Sequence, residues 1–256
     1  MIFADAMYAA YARRLRRSLA GRPVPEHVAL VMDGNRRWAR QAGMANPSVG
    51  HEYGGRHLAD VLGWCAEVVI RHVTVYVCSV DNLRKRDAGE VGYLLDIIER
   101  VVGEELARAG RWRIHVAGRV EALPDSTAHA LKLAADTTAG RATDSHLTMA
   151  IGYDGRSEIT DALRAVLLRA SAAGTSLDDL AETLTADDLA AGLYTAGAPD
   201  PDLVIRTSGE RRLSGFLLWQ AAYSELYFCD VYWPGFRHVD FLRALRSYAA
   251  RRGSRS

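Results

Sequence analysis

Strand-length apolar runs that end in polar turns, each followed by a stretch of helical period, recur along this chain. That alternation constrains the fold more than any other feature, because it favours α/β layering with a mostly parallel sheet. The clearest instance is His27-Val28-Ala29-Leu30-Val31-Met32, which breaks at Asp33-Gly34-Asn35. Strands are expected at 27–32, 73–79, 112–117, 146–152, 202–206 and 216–220. Helices are expected near 6–19, 52–69, 89–108, 125–138, 156–170, 177–192 and 238–250, and a further one begins near Asn35. The 44–56 stretch, with Pro47 and nearby glycines, reads as a mobile loop. The expected architecture is a single α/β domain, its central sheet flanked by helices. Ligands in such sheets bind beyond the C-terminal ends of the strands, so a site is expected at the turns there.

The turn after the first run offers one carboxylate (Asp33), a glycine that lets a ligand approach the backbone (Gly34), an amide (Asn35) and two guanidiniums (Arg36, Arg37). Arginine grips phosphate with a planar fork of donors. Mg²⁺ takes oxygen ligands and pairs one or two carboxylates with substrate phosphates. The set suits a magnesium diphosphate site, although an Asp in this place can also cap a helix. A second run, Asp202-Leu203-Val204-Ile205, leads into Arg206, Arg212 and Ser214, which can converge on a second diphosphate, and Glu225 follows. The Ser208-Gly209-Glu210 turn would orient the two arginines together. Two anion sites with two separated carboxylates suggest an enzyme that joins two diphosphates.

Net charge is +1 over 256 residues, so no bulk basic field argues for nucleic acid. No apolar run reaches the roughly 18 residues of a membrane span, and no signal-peptide pattern is present. Cys65, Cys78 and Cys229 are scattered among apolar neighbours and read as reduced thiols of a cytoplasmic protein. Residues 1–24 form an N-terminal amphipathic segment ahead of a catalytic domain at 25–256. In its helix Met7, Tyr11 and Leu15 recur every four residues, with Arg13, Arg14, Arg16 and Arg17 behind them. Docking on the same subunit is the favoured reading, and peripheral membrane contact is the other. The acidic strings Asp178-Asp179 and Asp187-Asp188 follow Ser or Thr and read as helix caps.

Taken together, HVALVMDGNRRWA, SVDNL, IGYDGR, DLVIRTSGERRLSGFLLWQAAYSELYF and VYWPGFRHVDFLRAL resemble the cis-prenyltransferase (Z-isoprenyl diphosphate synthase) family from about His27 onward. The resemblance implies a homodimeric, Mg²⁺-dependent enzyme that condenses isopentenyl diphosphate with an allylic diphosphate. It also implies an apolar product tunnel between the strands and the helices near 52–69 and 89–108. Asp33 becomes the principal metal ligand, completed by Glu225 from the same or the partner subunit. Asn35, Ser79 and Asn82 join Asp33 as catalytic candidates. Gly34, Arg36, Arg37, Trp38, His51 and Arg86 bind substrate, with Arg37 and the amides after Asp33 cradling the allylic diphosphate and packing the more natural role for Trp38. Arg206, Arg212 and Ser214 hold isopentenyl diphosphate.

The chain departs from the family pattern in several places. Asp81 stands where Glu is common and Leu83 where an aromatic is common. Asn46 stands where an arginine often contacts the allylic diphosphate, Arg36 where glycine is frequent, and Arg211 where histidine is frequent. Arg86 fits a downstream arginine better than its neighbour Arg84. With Val77 on the strand facing the tunnel, the chain most resembles the short-chain actinobacterial type, which makes Z,E-farnesyl diphosphate from geranyl diphosphate. A medium- or long-chain polyprenyl product is the alternative within the reaction. A non-catalytic lipid- or partner-binding subunit is the alternative outside it. The apolar content of Ser214 to Tyr232 points to a subunit interface.

Overall fold

A computed structural model describes residues 2–108 and 110–253. Its centre is a six-stranded, wholly parallel sheet in the order β3-β4-β2-β1-β5-β6. The strands are β1 (His27–Val31), β2 (His72–Ser79), β3 (Arg113–Ala117), β4 (His146–Tyr153), β5 (Leu203–Arg206) and β6 (Glu225–Phe228). All five residues of β1 are buried, as a strand covered on both faces requires.

Helices α1 (Ile2–Leu19), α2 (Asn35–Gln41), α3 (Val49–Glu67), α4 (Val80–Lys85) and α5 (Ala88–Ile98) cover the first half. The last of these runs on into a π-helical segment, Glu99–Leu106. Helices α6 (Asp125–Ala139), α7 (Gly155–Ala172), α8 (Leu177–Thr183), α9 (Ala186–Ala190) and α10 (His238–Arg252) complete the layers. No helix among the described residues is long and apolar enough to cross a membrane.

Four expectations need correction, the last of them in the N-terminal helix. The 44–56 stretch is not a loop throughout, because α3 begins at Val49. Its glycines serve packing: a Cβ on Gly50 would lie 2.1 Å from the Asn35 carbonyl oxygen, and one on Gly54 2.3 Å from Asn35 Oδ1. The expected strand at 216–220 is a run of turns, and the sixth strand forms at Glu225–Phe228 instead. Phe216 and Leu217 are fully buried there, so apolarity signalled burial and not extension. The 177–192 helix is two helices, each capped as expected. Ser176 accepts from the Asp179 amide, and Thr185 and Asp188 form a capping box.

The N-terminal helix docks on α10. Its buried stripe is Tyr8, Ala12, Leu15 and Leu19 rather than Met7, Tyr11 and Leu15, and Met7 is largely exposed. The Tyr8 hydroxyl accepts from the Val239 amide, and the Arg243 guanidinium lies over the Tyr11 ring. The three cysteines are free thiols, and burial raises the pKa of each.

Candidate active site

The strand order reverses around β1, which lies between β2 and β5, so the loops leaving these three strands meet at one end of the sheet. Asp33 stands at the exit of β1. It does not cap α2, whose N-cap is Gly34 with no side-chain cap bond. Its Oδ2 accepts from Arg206 Nη2 at 2.7 Å. Its backbone is fastened by the buried Thr207 hydroxyl, which accepts from the Asp33 amide (2.9 Å) and donates to the Asp33 carbonyl (2.8 Å). Gly34 has φ 98°, and a Cβ there would meet Tyr232 at 2.6 Å, so only glycine fits this turn.

The loop after β5 folds back over the same place. Arg206, almost wholly buried, donates from Nη1 to Ser214 Oγ at 2.8 Å and to the Arg212 carbonyl. Arg212 donates to the same hydroxyl at 3.3 Å and pairs with Glu210 at 2.8 Å. Arg37 reaches across from α2 to Ser208 Oγ (2.9 Å) and towards Glu210 (3.7 Å). Ser208 and Ser214 both adopt left-handed backbone, φ 78° and 52°. Non-glycine residues rarely do so, and such strain concentrates at working sites.

The third wall comes from β2 and α5. Ser79 and Asn82 form a capping box for α4, the Ser79 hydroxyl accepting from the Asn82 amide at 2.9 Å. Arg86 and Arg36 converge on Glu90, at 3.4 and 2.8 Å, with His51 Nε2 3.7 Å away. Burial and the nearby Arg86 charge push the His51 imidazole down to about 4, so it is neutral at pH 7. Arg84 takes no part in this wall.

These three walls enclose a pocket of about 460 Å³ lined by five arginines (Arg36, Arg37, Arg40, Arg86 and Arg206) against one carboxylate, Asp33. That excess of donors suits a multiply charged anion. Gly34, Asn35, His51, Ser79, Asn82 and Ser214 also line it. A second, apolar lobe of about 60 Å³ adjoins it, walled by Gly54, Gly55 and Leu58 of α3, Leu94 and Ile97 of α5, Val101 of the π segment, and Met149. Met32, Asn35, His51 and Val77 line both spaces and form the neck between them. The lobe lies where the tunnel was expected, but its volume is that of a gap and not of a tunnel. Leu83 lies outside it.

Three expected site residues fall outside the pocket. Trp38 packs on Tyr53, ring centroids 4.9 Å apart. Arg212 touches Ser214 only from the rim. Glu225 does not join Asp33 within one chain. It opens β6 opposite Leu203, three residues below the Arg206–Phe228 row, roughly 10 Å away along the strand. There it accepts from Arg251 at 2.7 Å. Residues missed from the sequence include Arg40, which helical spacing from Arg36 would have flagged. Thr207, Glu90 and Tyr76 were missed as well, and no local pattern marks them. The expected interface segment hides much of its apolar content in the core, while Tyr223 stays 90 % exposed.

Among the described residues no group of three or more His, Cys, Asp or Glu side chains gathers as a metal cage. Asp33 fits a different pattern. One of its oxygens is taken by Arg206, and the carboxylate remains about one-third exposed beside the pocket. A single hard oxygen donor next to an anion seat suits Mg²⁺ shared with substrate phosphates.

The prenyltransferase family model described as undecaprenyl diphosphate synthase matches residues 31–255. An isoprenyl transferase of Streptomyces fradiae is 60 % identical over 250 residues, 97 % of this chain and 96 % of that protein. A (2Z,6E)-farnesyl diphosphate synthase of Mycobacterium tuberculosis is 46 % identical over 252 residues, 98 % of this chain and 95 % of that one. The crystal structure of lavandulyl diphosphate synthase from Lavandula x intermedia, in complex with dimethylallyl diphosphate, superimposes with a TM-score of 0.82 at 28 % identity. It covers 88 % of this chain and 95 % of its own.

Proposed function

This chain belongs to the cis-prenyltransferase family, and we propose that it condenses geranyl diphosphate with isopentenyl diphosphate to give Z,E-farnesyl diphosphate. The observation that carries the reading is one arginine-lined pocket at the ends of β1, β2 and β5 that shares a neck with an apolar lobe. The arginines suit diphosphate, and the apolar lobe gives the direction in which an isoprenoid tail would extend. The small lobe and the relatives with short products favour this over a polyprenyl product. The intact Asp33–Arg206 pair favours catalysis over a lipid-binding subunit.

In this reading Arg36, Arg37 and Arg86 hold the allylic diphosphate, and Arg206, Arg212 and Ser214 hold isopentenyl diphosphate. The allylic carbon–oxygen bond breaks, and the diphosphate leaves with its electron pair. The isopentenyl double bond attacks the allylic carbon to form a carbon–carbon bond. A proton is then lost from isopentenyl carbon 2, leaving the new Z double bond. The arginines lower the barrier by meeting charge as it develops on the departing diphosphate. Mg²⁺ held by Asp33 would add positive charge at the leaving group. Asn35 sits at the neck, its Nδ2 donating to the Met32 carbonyl and its buried Oδ1 without a protein donor. That oxygen is well placed to orient a group at the reacting carbons, as are Ser79 and Asn82 nearby.

We also propose a cytoplasmic homodimer, which the free thiols and the exposed Tyr223 support. In it residues 1–24 act as a docking segment of the catalytic unit at 25–256. A partner subunit would be needed to bring a Glu225 carboxylate to any metal. Radiolabelled isopentenyl diphosphate with C10, C15 and C20 primers, followed by chain-length analysis, tests the reaction. A product of C15 from the C10 primer is expected, and products beyond about C20 would replace this reading with the polyprenyl one.

A further inference from the structure

Four of the five arginines that line the pocket are already committed to protein acceptors. Arg36 and Arg86 face Glu90, Arg37 meets Ser208 and Glu210, and Arg206 meets Asp33 and Ser214. Each of these bonds holds its guanidinium in place and also spends part of its charge. Arg40 is different. It lines the same pocket from the last turn of α2 and is solvent-exposed, and its side chain makes no hydrogen bond or ion pair with any described residue.

Helical geometry explains how it reaches the pocket. Residues three and four apart share a helix face, and side chains lean back towards the N-terminus. Arg40 therefore lies on the face of Arg36 and Arg37 and leans towards the Asp33 turn. Arg206 and Ser214 line the same pocket from β5 and the loop after it, to which Arg37 also bonds.

We infer that Arg40 is the outermost contact for the allylic diphosphate, taking its terminal phosphate at the pocket mouth. The inference rests on the proposed prenyl transfer for the identity of the anion, but the phosphate seat itself rests on the geometry. A guanidinium with no internal acceptor gives its full charge to an incoming anion. It loses no protein contact in doing so. The committed arginines instead exchange or share a bond already made. Arg40 should therefore contribute binding without contributing to folding.

The test is Arg40→Gln in the full chain, read two ways. Steady-state kinetics should show KM for geranyl diphosphate raised roughly tenfold, with kcat and KM for isopentenyl diphosphate within about twofold. Calorimetric titration with inorganic diphosphate and Mg²⁺ should show affinity weakened by a similar factor. An unchanged diphosphate affinity overturns the inference. So does an equal rise in both Michaelis constants, which would mean that Arg40 acts only as diffuse charge. If the wild type makes no prenyl product from any primer, the reaction reading has failed, and the diphosphate titration still decides the Arg40 seat.

Discussion

Acidification should loosen the strand that carries Asp33, and His27 makes the effect measurable. His27 opens β1 at the end opposite Asp33 and is 4 % exposed. As a neutral imidazole it is satisfied on both sides: Nδ1 lies 2.6 Å from the Pro199 carbonyl and Nε2 2.9 Å from the Thr74 hydroxyl. Burial pushes its pKa from the ordinary 6.5 down to about 4, and His72 pushes the same way while Asp202 opposes. The folded-state value lies below the unfolded one, so the unfolded chain takes up the proton first. The contribution to stability is complete above pH 6.5 and is lost as pH falls towards 4. Linkage makes the whole loss roughly 3 kcal/mol, of which about 2 kcal/mol is gone by pH 5. His72 lies against it, His146 stacks on His72 and His115 on His146; all three have pKa values lowered by burial, and they add to the slope. A comparison with His27→Gln removes their share, because they titrate in both proteins. Urea unfolding at pH 7.5 and pH 5 should show the wild type losing about 2 kcal/mol more than the variant. In a chain of this size that is a Tm difference of roughly 4–8 °C. Parallel losses, within about 0.5 kcal/mol, would refute the assignment of a buried neutral imidazole.

Asp33→Ala should keep the fold and lose roughly a thousandfold or more in turnover, because the pocket has no other lining carboxylate; near-normal rates at saturating Mg²⁺ would contradict the metal role. Arg212→Ala should raise KM for isopentenyl diphosphate with little change for the primer, and separate Michaelis constants decide it. Arg206→Ala should weaken isopentenyl diphosphate too, and should also lower kcat because Asp33 loses its 2.7 Å partner. Val77→Ala should lengthen the product by one or more five-carbon units, since Val77 lines both the pocket and the lobe; an unchanged product distribution on chromatography would move the limit to Met149 or the π segment.

Much of this protein was legible without coordinates. Five of the six strands, and the carriage of Asp33, Ser79 and Arg206 at strand exits, follow from local signals: an apolar run, then a turn residue that the strand cannot absorb. These signals are local because a buried strand and its turn are specified by adjacent residues. The long helices were legible for the same reason, through period.

Other features needed the tertiary structure, because they are meetings between distant residues with no trace in either one's neighbourhood. Gly50 and Gly54 read as loop residues, yet they sit in a helix, at places where Asn35 leaves no room for a Cβ. Phe216 and Leu217 read as strand, yet left-handed backbone at Ser214 and Leu217 turns them into the core instead. Glu225 read as completing the Asp33 site, from its own or a partner subunit, and only the parallel pairing shows that it does not reach Asp33 within one chain. Glu90, which gathers Arg36, Arg86 and His51, carries no signal in its own segment. Sequence set which chemistry is available at each strand end; packing between residues far apart in the chain decided which of those groups share one pocket.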